Sequence, residues 1–567
     1  MGLKLTSVLL ATPVATFGLF PLGGLAATFS LETATIADIN SAFDAGALTS
    51  QQLTQLYLNR IEAYDDSGPN INSYLTINPN ALETAAALDL ERQTQGPRSP
   101  LHGIPVLLKD NVDTFDLPTT AGSVALEGSI PPNDAFITQQ IRDAGAVILG
   151  KANLTEYANY LTTGMPAGYS SLGGYVFNPY NPGPLPDGDG RPVLSPGGSS
   201  AGSGAAVAAN LATVSIGTET SGSILSPGNQ NSVVGIKPTV GLASRDGIIP
   251  IAASQDTPGP LGRTVADAAT LLGSITGVDL SDPVTSTSEG KFYSDYTQFL
   301  NADGLQGARI GVPKDFYWDG LTDAQTALVE DAIATLESRG ATIVYQDIPT
   351  ARELSGFSSS VLSYEFKRDL NAYLASLGPD APVQSLADVI EFNNANPEVA
   401  LKYGQVLAER SQARDLAPDS ADTQQYLTDR ATDLRLAKEE GIDFLIEEYD
   451  LDAILFPATR GANIAARAGY PSVIVPAGYL SDGTPYGVTF SGLAYSEPTL
   501  ISLAYSYEQA TMLRIPPAST PPLPGEVFEY EPVPEPSTTA AVVFGIAALG
   551  FKLKQRRIMT QHCREIR

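Results

Sequence analysis

The chain has 567 residues, of which 43% are hydrophobic and 17% charged, a balance typical of a protein that buries a substantial core. Its 33 basic and 62 acidic residues give a formal charge of −29, which argues against nucleic acid or an anionic lipid surface as a partner, because both would be repelled. The single cysteine, Cys563, excludes an intrachain disulfide and a thiolate zinc cluster.

The N-terminal residues have the pattern of a secretory signal peptide. Lys4 precedes an apolar run at 8–20, and small residues follow at 23–27. We therefore predict a signal peptide at 1–27, cleaved near its end, and export of the protein. Pro13 interrupts the apolar run, and the alternative is an irregular apolar terminus without a targeting role.

The central part of the chain alternates between two hydrophobic patterns. Apolar runs bounded by turn residues predict buried strands at 104–108, 146–149, 212–216, 309–312, 342–345 and 453–456. Amphipathic stretches predict helices at 36–63, 323–338 and 423–448. This alternation predicts an α/β fold with a mixed β-sheet covered by helices. Because no long linker divides the central part, we expect a single large domain at 28–515.

The C-terminal part has a different composition. Residues 516–532 form a Pro/Glu-rich linker, and the sequence Val-Pro-Glu-Pro-Ser at 533–537 precedes an apolar stretch at 538–551 and a basic end. Segment 533–557 resembles the PEP-CTERM sorting signal of exported bacterial proteins, and 558–567 is a short tail. The resemblance implies processing by an exosortase-type enzyme, with the protein at the cell surface or extracellular after transient membrane anchoring. The alternative is a weak tail anchor.

Histidine is nearly absent, which limits the chemistry available to a hydrolase. His102 and His562 are the two histidines of the chain. No G-x-S-x-G elbow follows a predicted strand, and no residues have metal-ligand spacing. A hydrolase of this composition would activate its nucleophile with a carboxylate or with a lysine that burial holds neutral.

Two serine-rich segments stand out in this context. The stretch Pro-Gly-Gly-Ser-Ser-Ala-Gly-Ser-Gly at 196–204 lacks the lysine of a phosphate-binding loop. It leads into a predicted helix of small residues at 204–212, a strand-like run at 213–217 and a second Ser/Gly cluster at 218–223. Two serine-rich turns that flank a closely packed helix can face each other across a pocket.

Longer motifs make the resemblance specific. The sequences GGSSAGSGAAVAA, GTETSGSILSPGNQNSVVGIKPTVGLASRDGIIP and QDTPGPLGRTV, with LHGIPVLLKDNVDT at 101–114 and GKANLTEYAN at 150–159, resemble the amidase signature family. The late DAILFPA and AGYPSVIVPAGY fit as well, so the similarity covers most of 35–510. It implies the amidase-signature fold and hydrolysis of a small-molecule carboxamide by a Ser-Ser-Lys triad, without metal or cofactor.

The resemblance also implies a role for each catalytic residue. Ser199 corresponds to the bridging serine, which a cis peptide from Gly198 precedes, and Lys109 corresponds to the base. The nucleophile of the family lies 24 residues beyond the first serine, which gives Ser223. The oxyanion hole would consist of the backbone N–H groups of Thr220, Ser221, Gly222 and Ser223. Ser200 is assigned a local hydrogen-bonding role, and Lys151, Lys237 and His102 are assigned structural roles.

The sequence departs from the family pattern at two positions. Ser221 stands where the family usually has glycine, and Leu225 stands where an arginine is common, which leaves the preference on the acid side of the substrate open. Two other functions also stay open. One is a non-catalytic surface binding protein on the same fold. The other is the A-type subunit of a tRNA-dependent amidotransferase.

Overall fold

The computed structural model describes residues 26–186 and 188–533. Residues 29–528 form one compact unit. Apart from a few edge residues, the predicted signal peptide (1–27) and the predicted sorting signal and tail (533–567) lie outside the described residues. In the part of the chain that the structure describes, no helix is long and apolar enough to cross a membrane.

Fifteen strands occur in the described residues, most of them short. They are β1 (Ala27–Ser30), β2 (Tyr74–Ile77), β3 (Pro105–Lys109), β4 (Val147–Ala152), β5 (Tyr169–Ser170), β6 (Gly174–Tyr175), β7 (Val214–Glu219), β8 (Val234–Lys237), β9 (Thr257–Gly262), β10 (Arg309–Gly311), β11 (Thr342–Val344), β12 (Ala453–Pro457), β13 (Ser472–Tyr479), β14 (Pro485–Ser491) and β15 (Val527–Tyr530). Each of the six predicted strands is confirmed by an observed one within a few residues.

Eleven of these strands form one mixed sheet in the order β11-β10-β12-β14-β13-β8-β9-β7-β3-β4-β2. Toward the β2 edge of this sheet, β3 runs parallel to both β4 and β7, whereas β9 runs antiparallel to β7. Every residue of β3, β4 and β7 is buried, as expected for strands covered on both faces. The predicted α/β fold with a mixed sheet is therefore confirmed.

The helices cover this sheet. They are α1 (Ile36–Asp44), α2 (Ser50–Arg60), α3 (Ala81–Gln95), α4 (Phe136–Asp143), α5 (Glu156–Asn159), α6 (Ala201–Ala208), α7 (Leu225–Gln230), α8 (Val265–Gly273), α9 (Asp323–Ser338), α10 (Ala351–Gly356), α11 (Val361–Ser376), α12 (Leu386–Ala395), α13 (Pro397–Ala400), α14 (Val406–Gln412), α15 (Ala421–Leu434), α16 (Phe444–Tyr449), α17 (Ala462–Ala468) and α18 (Glu497–Thr511). π-Helical turns at Ile61–Asp65 and Arg435–Asp443 extend α2 and α15.

One predicted helix, 36–63, is wrong as a continuous element, because the chain breaks between α1 and α2. Gly46 has a φ of +68° there, a left-handed conformation that ends a helix readily. Thr49 then caps α2: its side chain accepts the N–H of Gln52, and the Gln52 side chain accepts the N–H of Thr49. A glycine stop and a capping box thus divide one amphipathic stretch into two helices.

Helix α6 begins earlier than its sequence suggests. It starts at Ala201 rather than at Gly204, so half of the glycine- and serine-rich stretch is helical. The small residues allow a close approach: a Cβ at Gly202 would lie 2.3 Å from the Ser73 carbonyl oxygen and 2.4 Å from that of Asn153. This packing places the start of α6 beside the carboxyl ends of β3 and β7, where ligand sites of α/β proteins commonly lie.

The segment predicted as a linker, 516–532, contributes β15 and several contacts to the compact unit. The fully buried Arg60 forms a salt bridge of 2.7 Å with Glu526. Its guanidinium also donates to the carbonyl oxygens of Thr520, Ala209 and Asn210. These bonds satisfy a buried cation with acceptors from two distant parts of the chain, 209–210 and 520–526.

Candidate active site

Lys109 is the last residue of β3, and its neighbour β7 brings Thr218 alongside. The Lys109 Nζ atom donates hydrogen bonds to Ser199 Oγ (2.7 Å), Thr218 Oγ1 (2.9 Å) and the Thr218 carbonyl oxygen (3.3 Å). The lysine side chain is completely buried. The segment GIPVLLK therefore places the Lys109 amine at the carboxyl end of β3, in contact with the Ser199 hydroxyl.

Burial changes the protonation of this amine. Desolvation lowers the pKa of Lys109 to about 7, although the nearby carboxylates of Asp256 and Glu219 favour the charged form and act in the opposite direction. No carboxylate of the described residues forms a salt bridge with Lys109. A large fraction of the amine is consequently neutral near pH 7, as a general base requires.

The first serine-rich turn carries two serines with different surroundings. The Gly198–Ser199 peptide bond is cis, as the resemblance implies. Ser199 places its hydroxyl on Lys109, while its carbonyl oxygen accepts the N–H of Thr155 (3.0 Å). Ser200 Oγ donates to the Thr218 carbonyl oxygen (3.1 Å) and accepts the Thr218 N–H (3.2 Å). Ser200 thus ties the turn to β7, and Ser199 faces the amine.

The second serine-rich turn follows β7 and carries Ser223. Its carbonyl oxygen accepts the N–H of Ser200 at 3.2 Å, so backbone contact joins the two turns. Ser223 keeps 7% of its surface exposed, whereas Ser199 is fully buried. Within the described chain the Ser199 and Ser223 hydroxyls share no hydrogen bond. Lys109 therefore contacts Ser199 directly, whereas Ser223 is connected to the first turn by its backbone carbonyl.

Free donors surround Ser223. The N–H groups of Ser221, Gly222 and Ser223 donate no hydrogen bond to any described residue. Gly222 has a φ of +86°, a conformation that the glycine adopts without steric cost. Backbone N–H groups left free beside a serine can receive a negatively charged oxygen. The N–H group of Thr220, the fourth predicted donor, likewise donates to no described residue, and the Thr220 side chain donates to a carboxylate oxygen of Asp256.

A buried glutamate supports the same turn. Glu219 Oε2 accepts the N–H groups of Ile224 (2.7 Å) and Leu225 (3.0 Å). Leu225 stands where an arginine is common in the family, and here its backbone N–H group is one of the two donors to the carboxylate. Sequence reasoning missed this residue, although an acidic side chain four residues before the serine in Thr-Glu-Thr-Ser-Gly-Ser was a visible signal.

A cavity of about 520 Å³ adjoins the lysine network. Thr218, Thr220 and Asn111 line it, and Asn111 donates through Nδ2 to Thr218 Oγ1 (3.0 Å). Asp256 also lines the cavity, and its Oδ2 atom accepts the N–H groups of Ile251 and Ala252. Burial raises the pKa of Asp256 to about 7. Sequence reasoning did not identify Asp256 or Asn111.

The other polar residues singled out in the sequence lie apart from this network. Lys151 Nζ donates to Thr119 Oγ1 (2.7 Å) and lies 3.4 Å from a carboxylate oxygen of Asp110. Lys237 Nζ donates to the Tyr470 carbonyl oxygen (2.7 Å), and a ring nitrogen of His102 contacts the Leu88 carbonyl oxygen (2.9 Å). These bonds account for three buried polar side chains in structural terms.

A buried lysine is bonded to one serine and lies near a second serine with free backbone donors. Such a set of groups can support nucleophilic catalysis without histidine. The family model described as "Amidase" matches residues 52–464. The chain therefore belongs to the amidase signature family and is an amide hydrolase.

Three known proteins show the range of similarity. A probable amidase of Arabidopsis thaliana is 44% identical over 506 residues, which cover 87% of this chain and 93% of that protein. The crystal structure of native peptide amidase from Stenotrophomonas maltophilia is 44% identical with a TM-score of 0.79, and covers 86% of this chain and 98% of that one. The A-type subunit of the glutamyl-tRNA(Gln) amidotransferase from Halorhodospira halophila is 32% identical, over 84% and 97% of the two chains.

Proposed function

We propose that the protein hydrolyses a peptide carboxamide to a carboxylate and ammonia or an amine through a Ser223–Ser199–Lys109 triad. The observation that carries this proposal is the 2.7 Å hydrogen bond between the buried Lys109 amine and Ser199 Oγ. A base with a pKa of about 7 is matched to proton transfer near neutral pH.

In the first half of the reaction, the Ser223 hydroxyl attacks the amide carbon. The Ser223 proton passes to Ser199, while the Ser199 proton passes to the neutral amine of Lys109. Ser199 thus ends this step as a hydroxyl, and Lys109 ends it as an ammonium. The free N–H groups of Ser221, Gly222 and Ser223 stabilise the oxygen of the tetrahedral intermediate. One such donor is typically worth about 2.7–4 kcal/mol of barrier.

The second half reverses the relay. The Lys109 ammonium returns a proton through Ser199 to the departing nitrogen, which leaves as ammonia or an amine, and Ser223 remains as an acyl ester. Water then attacks the ester while Lys109 accepts its proton through Ser199. The protonated lysine finally restores the Ser223 hydroxyl and releases the carboxylate, so that the enzyme ends as it began.

Similarity supports a peptide amide as the substrate. The peptide amidase of Stenotrophomonas maltophilia matches nearly its whole length at 44% identity. The A-type amidotransferase chain matches at 32%, and the charge of −29 on this chain opposes a tRNA-dependent role because nucleic acid would be repelled. The amidase assignment is therefore the one that the observations favour.

The test is turnover of peptide amides by the full chain, with release of ammonia as the readout. Ser223→Ala and Lys109→Ala should each lower kcat by at least about 10³-fold. Ser338→Ala, at an exposed position of α9, is the matched control and should keep full activity. Unchanged turnover in Ser223→Ala would contradict the assignment of the nucleophile, and no turnover by the wild type would favour a non-catalytic binding protein.

Export is a second part of the proposal and is supported by the sequence at both ends of the chain. The apolar N-terminal segment and the PEP-CTERM-like segment 533–557 predict that the protein leaves the cytoplasm. The intact mass and N-terminal sequence of the protein from its native cells test this prediction. Recovery of the full-length chain from the cytosol would contradict it.

A further inference from the structure

The cavity beside Lys109 is strongly acidic. The described residues that line it include six aspartates, whereas Arg245 is the single basic residue among them. The aspartates are Asp113, Asp134, Asp246, Asp256, Asp282 and Asp369. The cavity meets the lysine network at Thr218, a lining residue whose Oγ1 atom accepts a hydrogen bond from Lys109.

Half of these aspartates form a salt bridge with an arginine. The Arg245 guanidinium is bonded to both carboxylate oxygens of Asp282, so the basic side chain in the lining has no charge to spare. Asp134 pairs with Arg142 at 2.9 Å, and Asp369 pairs with Arg368 at 2.6 Å. Arg142 also pairs with Asp116, and Arg368 also pairs with Glu365, so these arginines add no surplus positive charge to the cavity.

Asp113, Asp246 and Asp256 form no salt bridge with any described residue. Asp113 is almost completely buried and accepts a hydrogen bond from the Tyr373 hydroxyl (2.7 Å). Asp246 is exposed at the cavity wall. The three unpaired carboxylates of the lining thus range from the almost completely buried Asp113 to the exposed Asp246.

A neutral side chain adds an independent observation. Asn111 is only 2% exposed, and its Oδ1 atom has no hydrogen-bond partner, although its Nδ2 atom donates to Thr218 and to the Ile249 carbonyl oxygen. A buried acceptor without a donor is costly. Since Asn111 lines the cavity, a ligand N–H group is the partner that would remove this cost.

We infer that the cavity binds a protonated amine or guanidinium group on the acyl portion of the amide substrate. This inference rests on the proposed function and names the substrate class of the same site. An organic cation fits better than a metal ion, because among the described residues no group of three His, Cys, Asp or Glu side chains is placed to hold a metal.

The raised pKa values of two of these carboxylates agree with binding of a cationic group. Burial raises the pKa of both Asp113 and Asp256 to about 7, because the loss of water outweighs the hydrogen bonds and the charges of Lys151 and Arg245, which lower the two pKa values. A cationic substrate would supply that charge. Its attraction to exposed members of the set, such as Asp246, would weaken with salt.

The direct test compares two substrates of nearly equal shape. N-acetyl-arginine amide carries a guanidinium group, and N-acetyl-citrulline amide carries a neutral urea in its place. For the wild-type protein at low salt we expect kcat/KM to be at least about tenfold higher for the arginine amide, a ratio that should shrink in about 0.5 M NaCl. N-acetyl-glutamate α-amide should be the poorest of the three substrates.

Variants connect the preference to the named residues. Asp246→Asn should lower the arginine-to-citrulline ratio at least about threefold, and the exposed Asp331→Asn on α9 is the matched control whose ratio should not change. Equal kcat/KM for the two amides would overturn the inference while leaving the amidase intact. Hydrolysis of none of the amides tested would instead contradict the proposed function, and the inference with it.

Discussion

The Nζ atom of Lys109 lies 2.7 Å from Oγ of Ser199, although the two residues are 90 positions apart in the chain. Strand β3 delivers the amine, and the turn before α6 delivers the hydroxyl. Burial removes water from both groups, which lowers the pKa of the lysine and makes the serine its nearest proton partner. This relationship leads to a prediction about the pH dependence of the enzyme.

Activity should rise with pH through the pKa of Lys109. Because the base must be neutral and its pKa is about 7, kcat/KM should increase about tenfold per pH unit below that pKa and level off above about pH 8. Asp256 raises the pKa of Lys109, so Asp256→Asn should move the rising limb to lower pH. A pH–rate profile of both proteins measures this shift.

Lys109→Arg is the control for that profile. A guanidinium group stays protonated throughout this pH range, so the variant should lack both activity and the rising limb. A wild-type profile that is flat between about pH 5 and pH 9 would contradict the role of Lys109 as the base.

The two adjacent serines should respond differently to removal of their hydroxyls. Ser199→Ala breaks the proton relay and should lower kcat by at least about 10³-fold with little change in stability. Ser200→Ala removes the acceptor of the buried Thr218 N–H group and one of the two side-chain donors to the Thr218 carbonyl oxygen, which should lower the free energy of unfolding by about 1–3 kcal/mol. Denaturant unfolding and kcat are measured for both variants.

The opposite result would exchange the two roles. If Ser200→Ala abolished turnover while Ser199→Ala retained it, the bridging position would belong to Ser200. Partial loss of activity in Ser200→Ala is compatible with our assignment, because this residue holds the turn that carries Ser199.

Glu219 is a positioning residue for the nucleophile turn. Glu219→Ala removes the acceptor of the Ile224 and Leu225 N–H groups and should lower kcat about 10–100-fold while KM changes little. Glu219→Gln keeps a carbonyl oxygen at the same place and should rescue most of the activity. Equal losses in the alanine and glutamine variants would show that the negative charge, rather than the hydrogen bonds, is what matters.

Gly202 should not tolerate a side chain. A Cβ there would lie 2.3 Å from the Ser73 carbonyl oxygen, so Gly202→Ala should lower the free energy of unfolding by about 1–3 kcal/mol or prevent folding. Gly356→Ala is the control, because that glycine of α10 has no neighbouring atom within 4 Å of an added Cβ. Its stability should be unchanged or higher by up to about 1 kcal/mol.

The buried Arg60–Glu526 pair should matter far more than a surface pair. Arg60→Met leaves a buried carboxylate without its cation, and we expect the free energy of unfolding to fall by about 3–5 kcal/mol. The matched change at an exposed pair is Arg352→Met, which removes the cation that pairs with Asp315. It should lower the free energy of unfolding by about 0–1 kcal/mol. Both free energies of unfolding are measured with denaturant. Similar losses in the two variants would contradict the conclusion that Glu526 stabilises the compact unit through Arg60.

Some elements were missed because their sequences contain residues that usually end strands. Strand β9 reads Thr-Pro-Gly-Pro-Leu-Gly, which looks like a loop. Its prolines pair with β7, while the pairing with β8 involves only Leu261 and Gly262. Proline is tolerated there because the ladder to β8 stops before Pro260 is reached. Local propensity could not show this, since it depends on how far a neighbouring strand extends.

The sequence by itself determined the α/β class and the family, and it singled out Lys109, Ser199 and Ser223, because hydrophobic periodicity and long linked motifs are local properties of the chain. It also located α9, whose bounds match the prediction at Asp323–Ser338. Only the tertiary structure decided that Glu219 binds the nucleophile turn, that Asn111 has an unpartnered oxygen, and that unpaired aspartates line one cavity. Those features arise where distant segments meet, and burial there sets hydrogen bonding and charge in ways that no local pattern records.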